Sequence, residues 1–539
     1  MPRRLVLALV VALGLQGCSI LNGPTSERVS SSDAAVSQPE MSPIPDGPKA
    51  PENRPLADLH SVDNAAGTAR IIEVDFGNVS AGEFRAPLRG LVITPTQANA
   101  PTPFVVVSHL RAPNCMDDSF SYPCAPGVSE LRFDRGMSYL GEHLAERGFT
   151  VVIPDLGGVF IGSGIQDPYD QNTMWKNVVG RFIEALKEDS EHSGVKNFGF
   201  EFPQPVDFGS VGLVLHSRSG MMVQPAIELF GQESIKSVFA YGPSYDTFEL
   251  DTVTAAPADI PYLAVVGEDD HDVGPSANLW IGHYLSQPRA TSAAVVSLPG
   301  LGHMFVNRAA SEAGKDDRIG CEERGCLDAA EHERVMSSLA SDWLQATMTG
   351  ADSELPVSSN QPLPTEVAGI PARWLAHTQK AVAQVTAEDF YGVTEGASKI
   401  CINPDPMNPT PIENACAMPE LGVVQILTPV NYLIDAAADI NVSGARGMAV
   451  HMSPSGSYKS PGTAVTVALQ LQDGREFSHE ISDRDPVLIN RNTVDENGTY
   501  VLGTVRVPLP EWVGEGVISN LRITSAGDPV ELRGVDFWG

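Results

Sequence analysis

Between residues 67 and 349 the chain switches repeatedly between two hydrophobic periods. Short apolar runs without polar alternation occur at 71–76, 88–93, 104–107, 149–153, 211–215, 238–241, 262–266 and 294–298. Such runs suit strands buried on both faces. Between them apolar residues return every three or four positions, as in Tyr139, Leu140, His143 and Leu144, and in Trp175, Val178, Val179, Phe182, Ile183 and Leu186. Gly148 stops the first of these helices. Further helical stretches are expected near 220–230 and 276–285, with a long amphipathic helix over 328–348. Buried strands alternating with helices constrain 67–349 to an α/β domain with a mostly parallel central sheet, covered on both faces. Open sheets of this kind place their sites at the C-terminal ends of the strands.

The pattern changes after Gly350. Residues 350–422 read as a polar connector with one helix-like segment, 374–385, and a loop holding Cys401 and Cys416. From 423 to 539 short alternating runs take over, at 465–471, 500–507, 518–523 and 530–537. These predict an all-β sandwich. Its closing strands resemble those of jelly-roll, galactose-binding-like modules. Trp512, Tyr500 and Trp538 are candidates for an aromatic platform that contacts carbohydrate or polymer, although sandwich cores bury such residues too.

The first residues carry an address. Arg3 and Arg4 precede an apolar stretch at 5–15, too short to span a bilayer and suited to a signal peptide over 1–17. Leu15-Gln16-Gly17-Cys18 resembles the bacterial lipobox. That resemblance implies that Cys18 is diacylated, palmitate-type chains included, and becomes the mature N-terminus. Two acyl chains suffice for stable anchoring. Ser19 at the next position favours the outer over the inner membrane. Residues 18–66, rich in Ser, Pro, Ala and Asp, read as a flexible tether.

Lys and Arg number 35 against 67 Asp and Glu, a net charge of −32. A chain this acidic is not built to hold a nucleic-acid backbone. Six cysteines follow Cys18 in three sequence-local pairs, and an exported compartment permits disulfides. Pairing within each couple, Cys115–Cys124, Cys321–Cys326 and Cys401–Cys416, closes short loops. A metal site is the alternative, but neither a CxxC pair nor HExxH occurs, so neither metal nor cofactor is expected.

Three strand ends carry the chemistry. Val211-Gly-Leu-Val-Leu-His-Ser217-Arg-Ser-Gly220 is a buried strand that turns straight into a helix at Ser217. The strand at 262–266 runs into Gly267-Glu-Asp-Asp270-His-Asp272. The strand at 294–298 leads into Pro299-Gly-Leu-Gly-His303. The first resembles the nucleophile elbow of the α/β-hydrolase superfamily, with Leu215 and Ser219 where the family has glycines. The other two resemble its acid loop and its histidine loop. Ser, acid, His is the family's chain order. The 139–155 stretch adds a resemblance to dienelactone-hydrolase-like and cutinase-like esterases.

The resemblance implies an α/β-hydrolase fold over 67–349 and a triad of Ser217, His303 and Asp270, with Asp272 the rival acid. His303 would take the serine proton and return it to the leaving group. The oxyanion would be held by the amide of Arg218 and by that of Leu110 or Arg111, after the strand at 104–107. His216 and His109 would be structural neighbours. The implied function is an envelope-anchored serine esterase acting on small or polymeric esters. An amidase or peptidase on the same triad, and a binding lipoprotein with a degenerate hydrolase domain, remain alternatives. Only about twenty residues separate Tyr241 from Tyr262, too few for a large cap. The segments 114–124 and 307–327 would wall the cleft. Because the triad ends at 303, a chain stopping near Gly350 is expected to keep turnover of a small soluble ester if it folds.

Overall fold

The computed structural model describes residues 60–81, 84–161, 171–191, 197–245, 258–319, 321, 325–390, 399–402, 424–430, 433–436, 439–455, 462–490 and 502–539. The signal peptide, Cys18, Cys416, Tyr500 and the tether up to residue 59 lie outside them.

The strands of the first region are β1 (His60–Asp63), β2 (Ala69–Ala81), β3 (Phe84–Pro95), β4 (Thr102–Ser108), β5 (Thr150–Pro154), β6 (Val206–His216), β7 (Ile235–Tyr241), β8 (Tyr262–Gly267) and β9 (Ala293–Leu298). A small hairpin, β10 (Glu366–Val367) and β11 (Ile370–Pro371), precedes β12 (Arg373–Ala376). Ten strands form one sheet in the order β1-β2-β3-β5-β4-β6-β7-β8-β9-β12. Its centre, from β5 through β9, is parallel. Both margins are antiparallel.

Period-two geometry explains why the runs are apolar throughout. On β4, Phe104 and Val106 enter the core on one face, whereas Val105 and Val107 enter the core on the other. Helix α2 (Gln171–Glu191) lays Trp175, Val178, Val179, Phe182 and Leu186 on the first face. Helices α1 (Ser138–Ala145) and α6 (Ala329–Leu344) cover the second with Leu140, Leu144, Val335, Met336 and Trp343. Each fully buried large apolar side chain contributes about 1.5–3 kcal/mol. The remaining helices are α3 (Val223–Phe230), α4 (Ser276–His283) and the short α5 (Arg308–Glu312). This strand order, with helices on both faces, is the α/β-hydrolase fold. Among the described residues no helix is long and apolar enough to cross a membrane.

After β12 come β13 (Ala381–Thr386), β14 (Lys399–Ile402), β15 (Val424–Val430), β16 (Leu433–Ala436), β17 (Ile440–Asn441), β18 (Gly447–Pro454), β19 (Val465–Leu471), β20 (Glu476–Ile481), β21 (Gly503–Pro508), β22 (Val517–Ser525) and β23 (Val530–Trp538). They form two antiparallel sheets: β14-β15-β23-β18-β21 with β13 on β23, and β16-β22-β19-β20 with β17 on β22. Val450 and Phe537 from the first sheet share a core with Val467 and Leu521 from the second.

Several expectations need correction. Segment 374–385 is not helical. Trp374, Leu375 and Ala376 are consecutive buried residues, split between the two faces of the central sheet as β12, and 381–386 is a strand of the sandwich. A short apolar run cannot be told from a helix by periodicity alone. The connector at 350–422 is therefore divided. Residues to Ala376 complete the α/β body, and β13 pairs with the last strand of the sandwich. The tether also ends earlier than 66, because His60–Asp63 pairs with β2. Trp538 is no exposed platform; it is 5% exposed and lies over Gly447, where a Cβ would come within 1.9 Å of the indole. Trp512 is half-buried beneath Arg475, whose guanidinium sits 5.1 Å from the ring centroid.

The body and the sandwich are bolted together by buried polar contacts. Arg373 Nε donates to Pro486 O at 2.9 Å, and the Ala376 N–H donates to Thr504 Oγ1 at 2.9 Å. A chain ending at Gly350 would lose β12 together with Leu355, Val367, Ile370 and Trp374 from the second core. It would also open the outer edge of β9. We expect it to aggregate, or to melt more than about 10 °C below the full chain, since each of several buried side chains is worth about 1.5–3 kcal/mol. Differential scanning fluorimetry measures this; an unchanged midpoint would refute it.

Candidate active site

Ser217 stands where β6 ends and a tight 3₁₀ turn leads into α3. Its φ is +60°, in the left-handed region that costs a non-glycine residue roughly 1–3 kcal/mol. Such strain projects the residue above the sheet edge. Leu215 occupies the family's usual glycine position without conflict, because its side chain points down into the first core. Ser219 takes the other glycine position, and its hydroxyl donates to the His109 carbonyl at 2.6 Å. The elbow is thereby tied to the loop after β4. Leu110 replaces a glycine there, and its side chain fills a small core with Ala112, Leu131, Phe133 and Ala310.

His303 follows β9 and is fully buried. Its Nδ1 lies 2.8 Å from Asp270 Oδ2. The other oxygen of Asp270 accepts the backbone N–H groups of Asp272, Val273 and Gly274 at 3.0, 2.9 and 3.3 Å. Asp270 is thus fixed by its own loop and can only face Nδ1. Asp272 reaches the opposite nitrogen, with Oδ2 3.4 Å from Nε2. Nε2 is buried and makes no hydrogen bond within the protein. Burial pushes the imidazole pKa down, but the Asp270, Asp272 and Asp317 carboxylates outweigh it and raise the value to about 9.

Two buried histidines serve as props. His109 Nε2 accepts the Leu156 N–H at 2.7 Å, so its Nδ1–H donates to Leu110 O at 2.9 Å. His216 Nε2–H donates to the His303 carbonyl at 3.1 Å, and the two rings lie 4.9 Å apart. The residue before Ser217 thus packs directly on His303. Burial depresses the pKa of both props; beyond that, the His303 charge lowers His216 further, while the Asp155 carboxylate partly offsets the shift at His109.

Residues outside the three motifs also build the site. Gly242, just past β7, has φ +46°, and a Cβ there would come within 2.7 Å of His303 Nδ1 and 2.9 Å of Asp270 Oδ2. Only glycine leaves room for that pair. Asp317 accepts the N–H of His303 at 2.8 Å, of Met304 at 3.0 Å and of His271 at 3.2 Å, clasping the histidine loop to the acid loop. His332 Nε2 accepts the Gly302 N–H at 2.9 Å, and the Tyr241 hydroxyl donates to Gly302 O at 2.7 Å. Asp317→Ala would leave three N–H groups without their acceptor, at about 1–3 kcal/mol for each that stays dry. We expect amide exchange at 303–304 to speed up by about 10- to 100-fold; unchanged exchange in hydrogen–deuterium mass spectrometry would show that the clasp is idle.

The segments flanking the site carry the disulfides Cys115–Cys124 and Cys321–Cys326, with Cα atoms 5.8 and 5.1 Å apart. The expected Cys401–Cys416 pair lies outside what the structure describes. An ion pair between Lys315 and Asp118 joins the two segments. Met116 and Phe120 are exposed, and the Arg111 guanidinium stacks 4.4 Å from the Phe120 centroid. Among the described residues no group of three or more His, Cys, Asp or Glu is arranged to hold a metal.

No family model matches this sequence, and no curated protein matches it. Among solved structures it is similar to the rice cell wall degrading esterase LipA from Xanthomonas oryzae in a ligand-bound form, at 12% identity and a TM-score of 0.32, over 55% of this chain and 98% of that one. It is similar to Candida antarctica lipase A in its closed state at 10% identity and 0.29, over 54% and 90%. A dienelactone-hydrolase-like promiscuous phosphotriesterase from metagenomic libraries follows at 14% identity and 0.28, over 51% and 99%. Likenesses this distant say nothing of substrate.

Proposed function

We propose that this chain is a serine hydrolase that cleaves carboxylic esters through an acyl-enzyme. The observation that carries the reading is Ser217 at φ +60° on the C-terminal end of β6, where the ring of the preceding residue, His216, packs 4.9 Å from that of His303, itself paired with Asp270. A strained non-glycine residue costs stability, so its presence at a sheet's functional edge calls for a use. Ser217 Oγ would attack the ester carbonyl while His303 Nε2 takes its proton. Asp270 would hold the imidazole with its proton on Nδ1 and stabilise the imidazolium. The amides of Arg218 and Leu110 would receive the oxyanion. His303 would pass the proton to the departing alkoxide, and water would release the acid by the same steps in reverse.

A fluorophosphonate probe is expected to add to Ser217, located by peptide mass spectrometry. Turnover of p-nitrophenyl esters is expected to exceed that of matching anilides. A folded protein that takes no probe would overturn the hydrolase reading, and preference for anilides would overturn ester specificity. We further propose that the protein belongs to the bacterial cell envelope, held to the outer membrane by a diacylated Cys18. The motive is Leu15-Gln16-Gly17-Cys18, and an unmodified mature N-terminus would refute it.

A further inference from the structure

His303 is flanked by a carboxylate on each ring nitrogen, and the two carboxylates are held in different ways. Asp270 is buried and locked by three backbone N–H groups. The Asp272 side chain is 42% exposed, and its oxygen faces Nε2 at 3.4 Å. Nε2 is the nitrogen that a serine nucleophile needs as an acceptor. We propose that Asp272 is a positioning residue whose carboxylate competes with Ser217 for Nε2 of His303 and keeps a proton there in the resting protein. This rests on the hydrolase reading for its consequence, though not for the ion pair itself.

The other groups around the imidazole agree with this assignment. Asp317 lies behind the ring, accepting the His303 N–H. From β6, His216 packs its own ring against His303, and from β7 the Tyr241 hydroxyl bonds Gly302. Burial raises the carboxyl pKa of Asp272, as do the Asp270 and Asp317 charges, against the downward pull of the His303 charge and of Arg111. Three acidic groups thus confront one imidazole, whose pKa stands near 9. Asp270 and Asp317 are bound into the loops, whereas Asp272 can turn toward solvent. Ester binding at Ser217 can therefore displace Asp272 without breaking the loop. When Nε2 carries a proton it cannot accept that of Ser217, so Asp272 raises further the pH below which the site is idle.

The test is a titration of His303 in ¹⁵N-histidine-labelled full-length protein, with His303→Gln assigning its resonance among the 12 histidines. In Asp272→Asn the His303 pKa should fall by about one unit or more, since a close opposite charge shifts a pKa by roughly one to three units. The acid limb of kcat/KM should move down equally, raising kcat/KM at pH 6 by about tenfold per unit. Asp272→Ser repeats the measurement should the first variant fold poorly. An unmoved titration in a folded variant overturns the proposal, and so does a moved titration with an unmoved kinetic limb. If no ester is turned over and Ser217 takes no probe, the hydrolase reading fails, while the titration still decides whether Asp272 holds the proton.

Discussion

Ser217→Ala is expected to abolish ester hydrolysis, with kcat falling by about 10⁶-fold, while the thermal midpoint stays within about two degrees. Removing the hydroxyl removes the only atom asked to bond the substrate, yet it leaves the Cβ that the elbow already accommodates. Ser217→Gly should be as inactive and more stable. At φ +60° a glycine escapes the strain that Ser217 bears. An inactive variant that melts above the wild type would mark this backbone as strained for chemistry. A Ser217→Ala protein that keeps full activity against an ester the wild type turns over would end the catalytic reading.

The body of the fold was legible because burial on two faces leaves a direct trace. Runs such as 262–266 and 294–298 are apolar without alternation, and both proved to be central parallel strands. The margins were harder to read. β12 is three buried residues and a buried arginine, too short for any period to declare itself. Nothing local separates it from a helical turn, and its antiparallel partner β9 lies some eighty residues earlier. The join between body and sandwich was hidden for the same reason. It depends on Arg373 and Thr504 meeting partners over a hundred residues away.

The site divides in the same way. Ser217, Asp270 and His303 each sit in a tight strand-end turn, so their spacing shows in the sequence, and the structure brings Asp270 rather than Asp272 to Nδ1. Asp317 shows no such pattern. It is one acid of several in a loop, and its role arises from three amides donated by two other loops. Gly242 went unread in the sequence, although a glycine directly after a buried strand is the signal that points to a close approach there. The two departures from the elbow pattern, Leu215 and Ser219, were ambiguous in sequence. Only the packing shows one side chain in the core and the other bonded to His109 O.

Asp270→Asn is expected to cost roughly 10⁴-fold in kcat, as much as or more than Asp270→Ala. The reason lies in the three N–H groups that converge on Oδ1. They require an acceptor at that position, so an asparagine must put its carbonyl oxygen there and its NH₂ toward His303. That NH₂ donates to Nδ1, which then cannot carry a proton, and the neutral imidazole is forced to protonate Nε2. In that tautomer it cannot accept from Ser217. Alanine imposes no tautomer and should leave more activity. Removal of the buried carboxylate also takes away the largest influence raising the His303 pKa, so the residual acid limb should move down from the alkaline range. The sign is fixed by the raised value. In the wild type His303 is charged below about 9, so kcat/KM should climb as pH rises toward that value. The ion pair's contribution to stability runs the other way. It is complete below the unfolded histidine value of about 6.5 and is lost as pH rises through about 9. The protein should therefore become less stable over the same range in which it becomes more active. An acid limb found near 6.5 in the wild type, or an Asp270→Asn enzyme more active than Asp270→Ala, would show that Asp270 does not control the His303 proton.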